Sequence, residues 1–286
     1  MLASGKMRLM DAKIKSVILA YFLGGMTIPA QHTSLFDPQL LKTVVSIEQL
    51  DSPSNAHAIG TGFLLQTTNS HIALVTAKHV VVNEDGSVKA NLAIRLNQTN
   101  KPSDLITDSY FSTLVGGWVV SSNADLACRL ITWANEQDIK AMPVEKLLPQ
   151  NQLEAGAPVF VLGFPMGLRA ERYTVPIVRH GIVAQSAPGE NLLLDAFVFP
   201  GNSGGPVIYC PIIKLGAGLT SPILGDERIV GVVVESVEYT DVAISPQTHR
   251  PRITFEENSG LSRAVPSDMI LELFSRADFR KLDEKH

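Results

Sequence analysis

Only two cysteines occur in 286 residues, aromatic residues make up 6% and charged residues 18%. Two thiols in so long a chain exclude a disulfide-built scaffold, and their spacing matches no metal motif. Basic residues are fewer than acidic ones, 24 against 28, for a formal charge of −4. With no basic run of useful length, a nucleic-acid phosphate backbone is not an expected partner. No repeat of fixed period is visible, which argues against a solenoid or propeller. What the chain does have is apolar residues, 45% of the total. That is too many for a disordered chain and enough for one or two packed domains.

Lys6, Arg8, Lys13 and Lys15 precede an apolar stretch at 17–23 that continues to Ala30. Basic head, short apolar middle and small closing residue form the layout of a secretory signal, expected over 1–30. The stretch 16–30 is shorter than the ~20 residues that cross a bilayer as a helix. Ile28 stands where a cleavage site prefers a small residue, so an uncleaved membrane anchor is the alternative reading. Export places the rest of the chain in the periplasm or outside the cell, with no stable membrane span after signal removal. There Cys128 and Cys210 either pair or remain buried thiols.

Runs rich in Val, Ile, Leu and Thr recur at 44–50, 60–66, 72–76, 92–96, 114–120, 125–132, 159–162, 175–184, 192–199, 205–209 and 229–237. Many short strands at near-regular spacing predict an all-β barrel or sandwich rather than βαβ units. Residues 133–156 are polar and irregular and read as the linker between two β lobes. Only the end has helical spacing. Pro266, Ser267 and Asp268 offer a cap and a first-turn carboxylate, followed by Met269, Ile270, Leu273 and Phe274.

Three stretches carry chemistry. In Gly201-Asn202-Ser203-Gly204-Gly205-Pro206 a serine flanked by glycines fits a tight turn with its hydroxyl exposed. Backbone N–H groups beside such a serine can stabilise a developing oxyanion. A solvent-facing serine on a glycine-rich turn is the plain alternative. The strand-like Pro206-Val207-Ile208 that follows argues against a strand-turn-helix nucleophile elbow. A serine needs a base, and of the seven histidines His79 has the best context, at the end of a β-branched strand. His180 is the rival, inside another strand. His32, His57, His71, His249 and His286 lie in polar or terminal segments and read as solvated. A carboxylate is then required to fix the imidazole. Asp125, opening the apolar run 125–132, supplies it, although alone it reads as a turn-capping aspartate.

Thr76-Ala77-Lys78-His79-Val80, Asp125-Leu126-Ala127 and Gly201-Asn202-Ser203-Gly204-Gly205-Pro206 resemble the three signatures of trypsin-like, chymotrypsin-fold serine peptidases. The flanking Gly163-Phe164-Pro165-Met166-Gly167-Leu168 and Gly260-Leu261-Ser262-Arg263-Ala264-Val265-Pro266 are similar to segments of the bacterial HtrA/Deg-type branch. The resemblance runs over about 44–274. It implies an all-β fold of two six-stranded antiparallel β-barrels with a C-terminal helix and the triad in the cleft between them. The implied layout is 31–150 for the lobe with His79 and Asp125, 151–266 for the lobe with Ser203, and 267–286 for a helix and tail. The chain stops after one helix, so the PDZ domains of typical HtrA proteins are not expected.

The resemblance further implies a serine endopeptidase acting on protein or peptide substrates. Ser203 attacks, His79 serves as base and then acid, Asp125 orients His79, and the N–H groups of Gly201 and Ser203 hold the oxyanion. Ala196, Phe197 and Val198 would form the base of the primary specificity pocket. With Phe197 rather than a carboxylate there, a small or aliphatic residue is expected before the cut. The competing reading is a catalytically weak relative that captures peptides or acts as a scaffold. No metal or organic cofactor is expected. Asn202 stands where digestive enzymes carry the Asp that pairs with a new N-terminus, so zymogen cleavage of that kind is not expected. The stretches 210–228 and 240–259 read as long loops bordering the cleft, and 164–172 and 210–228 as mobile loops that control it.

Overall fold

The computed structural model describes residues 35–52, 55–132, 136–170, 172–216, 219–223, 225–245 and 247–285, all within one compact unit, Leu35–His286. The signal-like segment expected over 1–30 lies outside these residues.

Eight strands form the first sheet: β1 (Val44–Ser52), β2 (Asn55–Gln66), β3 (Ile72–Thr76), β4 (Leu92–Gln98), β5 (Lys101–Thr107), β6 (Val119–Val120), β7 (Ala127–Ile131) and β8 (Met142–Pro143). Their order is β5-β4-β1-β2-β3-β7-β6, with β8 added in parallel to β2. Two helices interrupt them, α1 (Lys78–Val81) after β3 and α2 (Asp108–Val115) after β5. The second lobe contains β9 (Pro158–Gly163), β10 (Ile177–Gln185), β11 (Leu192–Asp195), β12 (Pro206–Tyr209), a separate hairpin of β13 (Ile212–Gly216) and β14 (Leu219–Pro222), then β15 (Arg228–Ile244) and β16 (Pro251–Pro266). Six of these close into an antiparallel barrel, β10-β11-β16-β15-β12-β9.

The C-terminal lobe is thus the six-stranded barrel expected, whereas the N-terminal lobe is an eight-stranded sheet rather than a six-stranded barrel. The two strands beyond six are short additions, β6 and β8. The apolar run at 114–120 is not one strand. Phe111 and Val115, four apart, are buried on one side of α2, and the strand proper is only Val119–Val120.

The stretches at 210–228 and 240–259 are likewise not plain loops. The first holds the β13–β14 hairpin. Its flanks reach Asp37 and Lys146, through Asp37 N–H to Glu227 Oε1 at 2.8 Å and Lys146 Nζ to the Gly225 carbonyl at 2.7 Å. The second is a two-stranded ribbon continuing β15 and β16 past the barrel, in register from Glu238↔Asn258 to Ala243↔Ile253, with a shift before Ile244↔Pro251.

Two helices, not one, end the described chain: α3 (Asp268–Ser275) and α4 (Ala277–Lys285). Ser267 does not cap α3 with its side chain. Its hydroxyl instead donates to the Leu148 carbonyl at 2.5 Å, and Asp268 Oδ2 accepts from Gln150 N–H at 2.7 Å. Both anchor the inter-lobe linker. Asp283 on α4 is buried and accepts from Thr67 Oγ1 at 2.7 Å and Asn69 Nδ2 at 3.0 Å, with His71 Nδ1 3.0 Å away. His71, read from sequence as solvated, is part of this clasp. No helix among the described residues is long and apolar enough to cross a membrane.

Candidate active site

His79 lies on α1 rather than at a strand end. Val80 and Val81 are buried and pin the helix, which leaves the imidazole half exposed in the cleft. Asp125 precedes β7, where buried Leu126 and Ala127 hold the turn down. The two residues meet twice. Asp125 Oδ2 is 2.6 Å from His79 Nδ1, and Asp125 Oδ1 accepts from the His79 backbone N–H at 2.9 Å. Burial works to raise the Asp125 carboxyl, but the hydrogen bond and charge of His79 outweigh it and leave the carboxyl below its ordinary 3.8.

Ser203 sits on the turn from Phe199 to β12, where Asn202 N–H donates to the Phe199 carbonyl at 2.9 Å. Two glycines make this turn possible. Gly201 and Gly204 have φ of 97° and 85°, and a Cβ on either would collide with Phe164 O or with Thr61 O and Thr76 Oγ1. Neither Gly201 N–H nor Ser203 N–H has a hydrogen-bond partner among the described residues. The helix with His79 and the turn with Ser203 converge on Gly60. A Cβ there would lie 3.2 Å from Ser203 O and strike the Val80 side chain.

Residues 60–210, which include all three stretches, match the family described as "Trypsin-like peptidase domain". The chain belongs to this family. No curated protein matches it. Among solved structures, this peptidase domain is similar to one described as "HtrA-type protease AlgW with tripeptide", at 18% identity and a TM-score of 0.46 over 82% of this chain and 59% of that one. It is also similar to "the serine endoprotease from Yersinia pestis", at 17% and 0.48 over 86% and 64%. The chain therefore spans about three-fifths of the length of these structures.

His180, the rival base, is on β10 with its ring 5.0 Å from that of Phe160, and no carboxylate among the described residues pairs with it. Beside Ser203 lies a cavity of about 540 Å³. Val198 lines it together with Val233, Val234 and Val237, but Ala196 and Phe197 do not. Ala196 points into the barrel core with its carbonyl accepting from Ser262 Oγ at 3.1 Å. Phe197 turns outward, 51% exposed, towards Gly260. Of the expected pocket base at 196–198, Val198 lines this cavity. Glu235 and Glu238 also border the cavity, Glu235 paired with Arg263 at 3.3 Å.

Thr61, on β2, was not visible as a site residue from sequence. Its hydroxyl donates to the Gly201 carbonyl at 2.6 Å and accepts from Phe164 N–H at 3.1 Å, while its backbone N–H donates to the Ser203 carbonyl at 2.8 Å. One buried threonine thus joins the first lobe to the serine turn. An isolated Thr in Gly-Thr-Gly carries no signal of that task. Both cysteines are free and buried, and burial pushes the Cys210 thiol up to about 12. Among the described residues no three His, Cys, Asp or Glu cluster in a way that could hold a metal.

Proposed function

We propose that the protein is a serine endopeptidase that hydrolyses peptide bonds through an acyl-enzyme. The observation that carries this reading is the doubly hydrogen-bonded His79–Asp125 pair across the cleft from the Ser203 turn. Asp125 holds Nδ1 of His79 in the tautomer that leaves Nε2 free to take the Ser203 proton and return it to the leaving amine. The unengaged N–H groups of Gly201 and Ser203 hold the oxyanion. Asn202 is buried and its Oδ1 accepts from Phe199 N–H at 3.0 Å. A neutral amide folded over its own turn offers no counter-charge for an inserted N-terminal ammonium, which supports activity without zymogen cleavage.

The valine-lined cavity supports cleavage after small or aliphatic residues. Glu235 is already paired and Glu238 is exposed, so each discriminates weakly. The decisive test is Ser203→Ala. Wild-type protein labels with a fluorophosphonate and cleaves casein, and the variant does neither, with turnover reduced by about 10⁶. Wild-type protein that neither labels nor cleaves would leave the peptide-capture reading instead. A peptide library dominated by Arg or Lys before the cut would overturn the aliphatic preference.

A further inference from the structure

Glu48, on β1, is fully buried, and three groups serve it. Ser46 Oγ donates at 3.2 Å. Arg95 on β4 makes a two-pronged pair, Nε and one terminal nitrogen each 2.7 Å from a different carboxylate oxygen. The third partner comes from the other lobe: Arg169 Nη1 is 2.9 Å from Glu48 Oε1. A buried carboxylate needs a partner, and Arg95 alone satisfies both oxygens. The second guanidinium is therefore surplus to the stability of Glu48. It asks for a different explanation.

Arg169 lies in the connection from β9 to β10, which crosses the first lobe as a strap. At its far end Ser103 N–H donates to the Arg172 carbonyl at 3.1 Å, and Asn97 pairs with Thr174 through both its amide oxygen (2.8 Å) and nitrogen (2.9 Å). At its near end the strap touches the serine turn. Met166 N–H donates to the Pro200 carbonyl at 2.6 Å. That carbonyl belongs to the same planar peptide as the Gly201 N–H, and in a trans peptide the two point in opposite directions. Whatever fixes the Pro200 carbonyl therefore aims the Gly201 N–H.

Met166 has φ of 55°, a conformation that non-glycine residues hold only when their surroundings impose it. Among the described residues of the strap, the hydrogen bonds that support it are those of a single 3₁₀ turn, from Gly167 N–H to Phe164 O and Leu168 N–H to Pro165 O. Phe164 and Pro165 are buried and anchor the start of the turn, but Met166 and Leu168 are exposed, so side-chain packing does little to hold its second half.

We propose that Arg169 is a positioning residue: its ion pair with buried Glu48 holds the 164–168 turn against the Pro200 carbonyl and so aims the Gly201 N–H. The inference rests on the peptidase reading for its catalytic consequence, but not for its structural one. The experiment therefore has two arms, run on the full chain with Arg169→Ala, Arg169→Lys and, as a control, Arg172→Ala. Arg172 is exposed and stacks only on Tyr173. Because Glu48 keeps Arg95, Arg169→Ala is expected to fold with an unfolding midpoint near that of wild type. In the first arm, backbone amides of Met166 and Asn202 exchange about tenfold faster in Arg169→Ala than in wild type. In the second, kcat falls about ten- to a hundredfold with KM little changed, as for a misaimed oxyanion donor. Arg169→Lys recovers part of both effects, and Arg172→Ala matches wild type in both. An active Arg169→Ala enzyme with wild-type kcat overturns the proposal, as does unchanged exchange at Met166 and Asn202. If wild type shows no Ser203-dependent turnover, the peptidase reading falls. The exchange arm alone then decides the tether, faster exchange supporting it and unchanged exchange refuting it.

Discussion

In the C-terminal lobe β9 pairs with both β10 and β12 and the ring closes, whereas in the N-terminal lobe the sheet begins at β5 and stops at β6. The interiors differ in step with this. The barrel's core cluster is made of Val, Leu and Ala alone, including Val159, Val161, Leu194, Val207 and Val230. The open lobe buries two full charges, Glu48 and Arg129. A closed barrel gives every strand two neighbours and needs only apolar filling. The open sheet instead buries charged side chains on β1 and β7, each held by an ion pair. Arg129 on β7 reaches both ends of α2, pairing with Asp108 and donating to the Gly116 carbonyl at 2.8 Å, with the Phe111 and Trp118 rings on its guanidinium at 5.4 and 5.5 Å. Glu48 reaches further, across to the other lobe. The cleft is thus assembled from one lobe closed into a ring and one whose open sheet holds buried ion pairs.

The largest expected effect tests whether the open lobe contributes to the chemistry as well as to the frame. Asp125→Asn should keep the fold and reduce kcat by about 10⁴, because Asn presents the wrong group to Nδ1. Steady-state hydrolysis of a peptide ester measures this, and a loss below about tenfold would mean that the first lobe only positions substrate.

Next comes the contrast in cohesion. Arg129→Ala should cost about 3–5 kcal/mol in urea unfolding, since it leaves Asp108 without its buried partner. Removing both charges together, Arg129→Met with Asp108→Asn, should recover most of that. In the barrel Leu194→Ala should cost about 2–5 kcal/mol through the cavity it leaves, with no charge to remove in compensation. If the double variant is as weak as Arg129→Ala, the ion pair is not what holds α2 to the sheet.

The smallest effect is on acid stability. The Asp125 carboxyl is held below its ordinary 3.8. Its contribution is therefore fully present above about pH 4 and is lost as pH falls through the lowered folded value. Unfolding midpoints measured between pH 6 and 2 should fall more steeply for wild type than for Asp125→Asn at the acid end. Parallel curves would show that the His79–Asp125 contact adds nothing to cohesion.

Much of the strand framework was legible in sequence because its strands are half or wholly buried. The run at 72–76 coincides with β3, 159–162 lies on β9, and 205–209 begins one residue before β12. The ribbon at 240–259 was read as a loop because both its faces meet water. Tyr239, Ile244, Ile253 and Phe255 are all at least half exposed, and without a core there is no alternation to read. The run at 114–120 failed for the opposite reason: an apolar stretch that short fits a strand or a helix end equally well.

By itself the sequence determined the all-β class, the aliphatic interior, and which histidine, aspartate and serine deserve attention, since these rest on residue type and on neighbours a few positions away. Only the tertiary structure decided that Asp125 binds His79 through both backbone and side chain, that Thr61 orders the serine turn, that Phe197 faces out, and that Arg169 crosses to Glu48. These contacts join residues far apart in the chain, with Thr61 and Gly201 separated by 140 positions. No local pattern encodes them, because each depends on where the open sheet and the closed barrel bring their edges together.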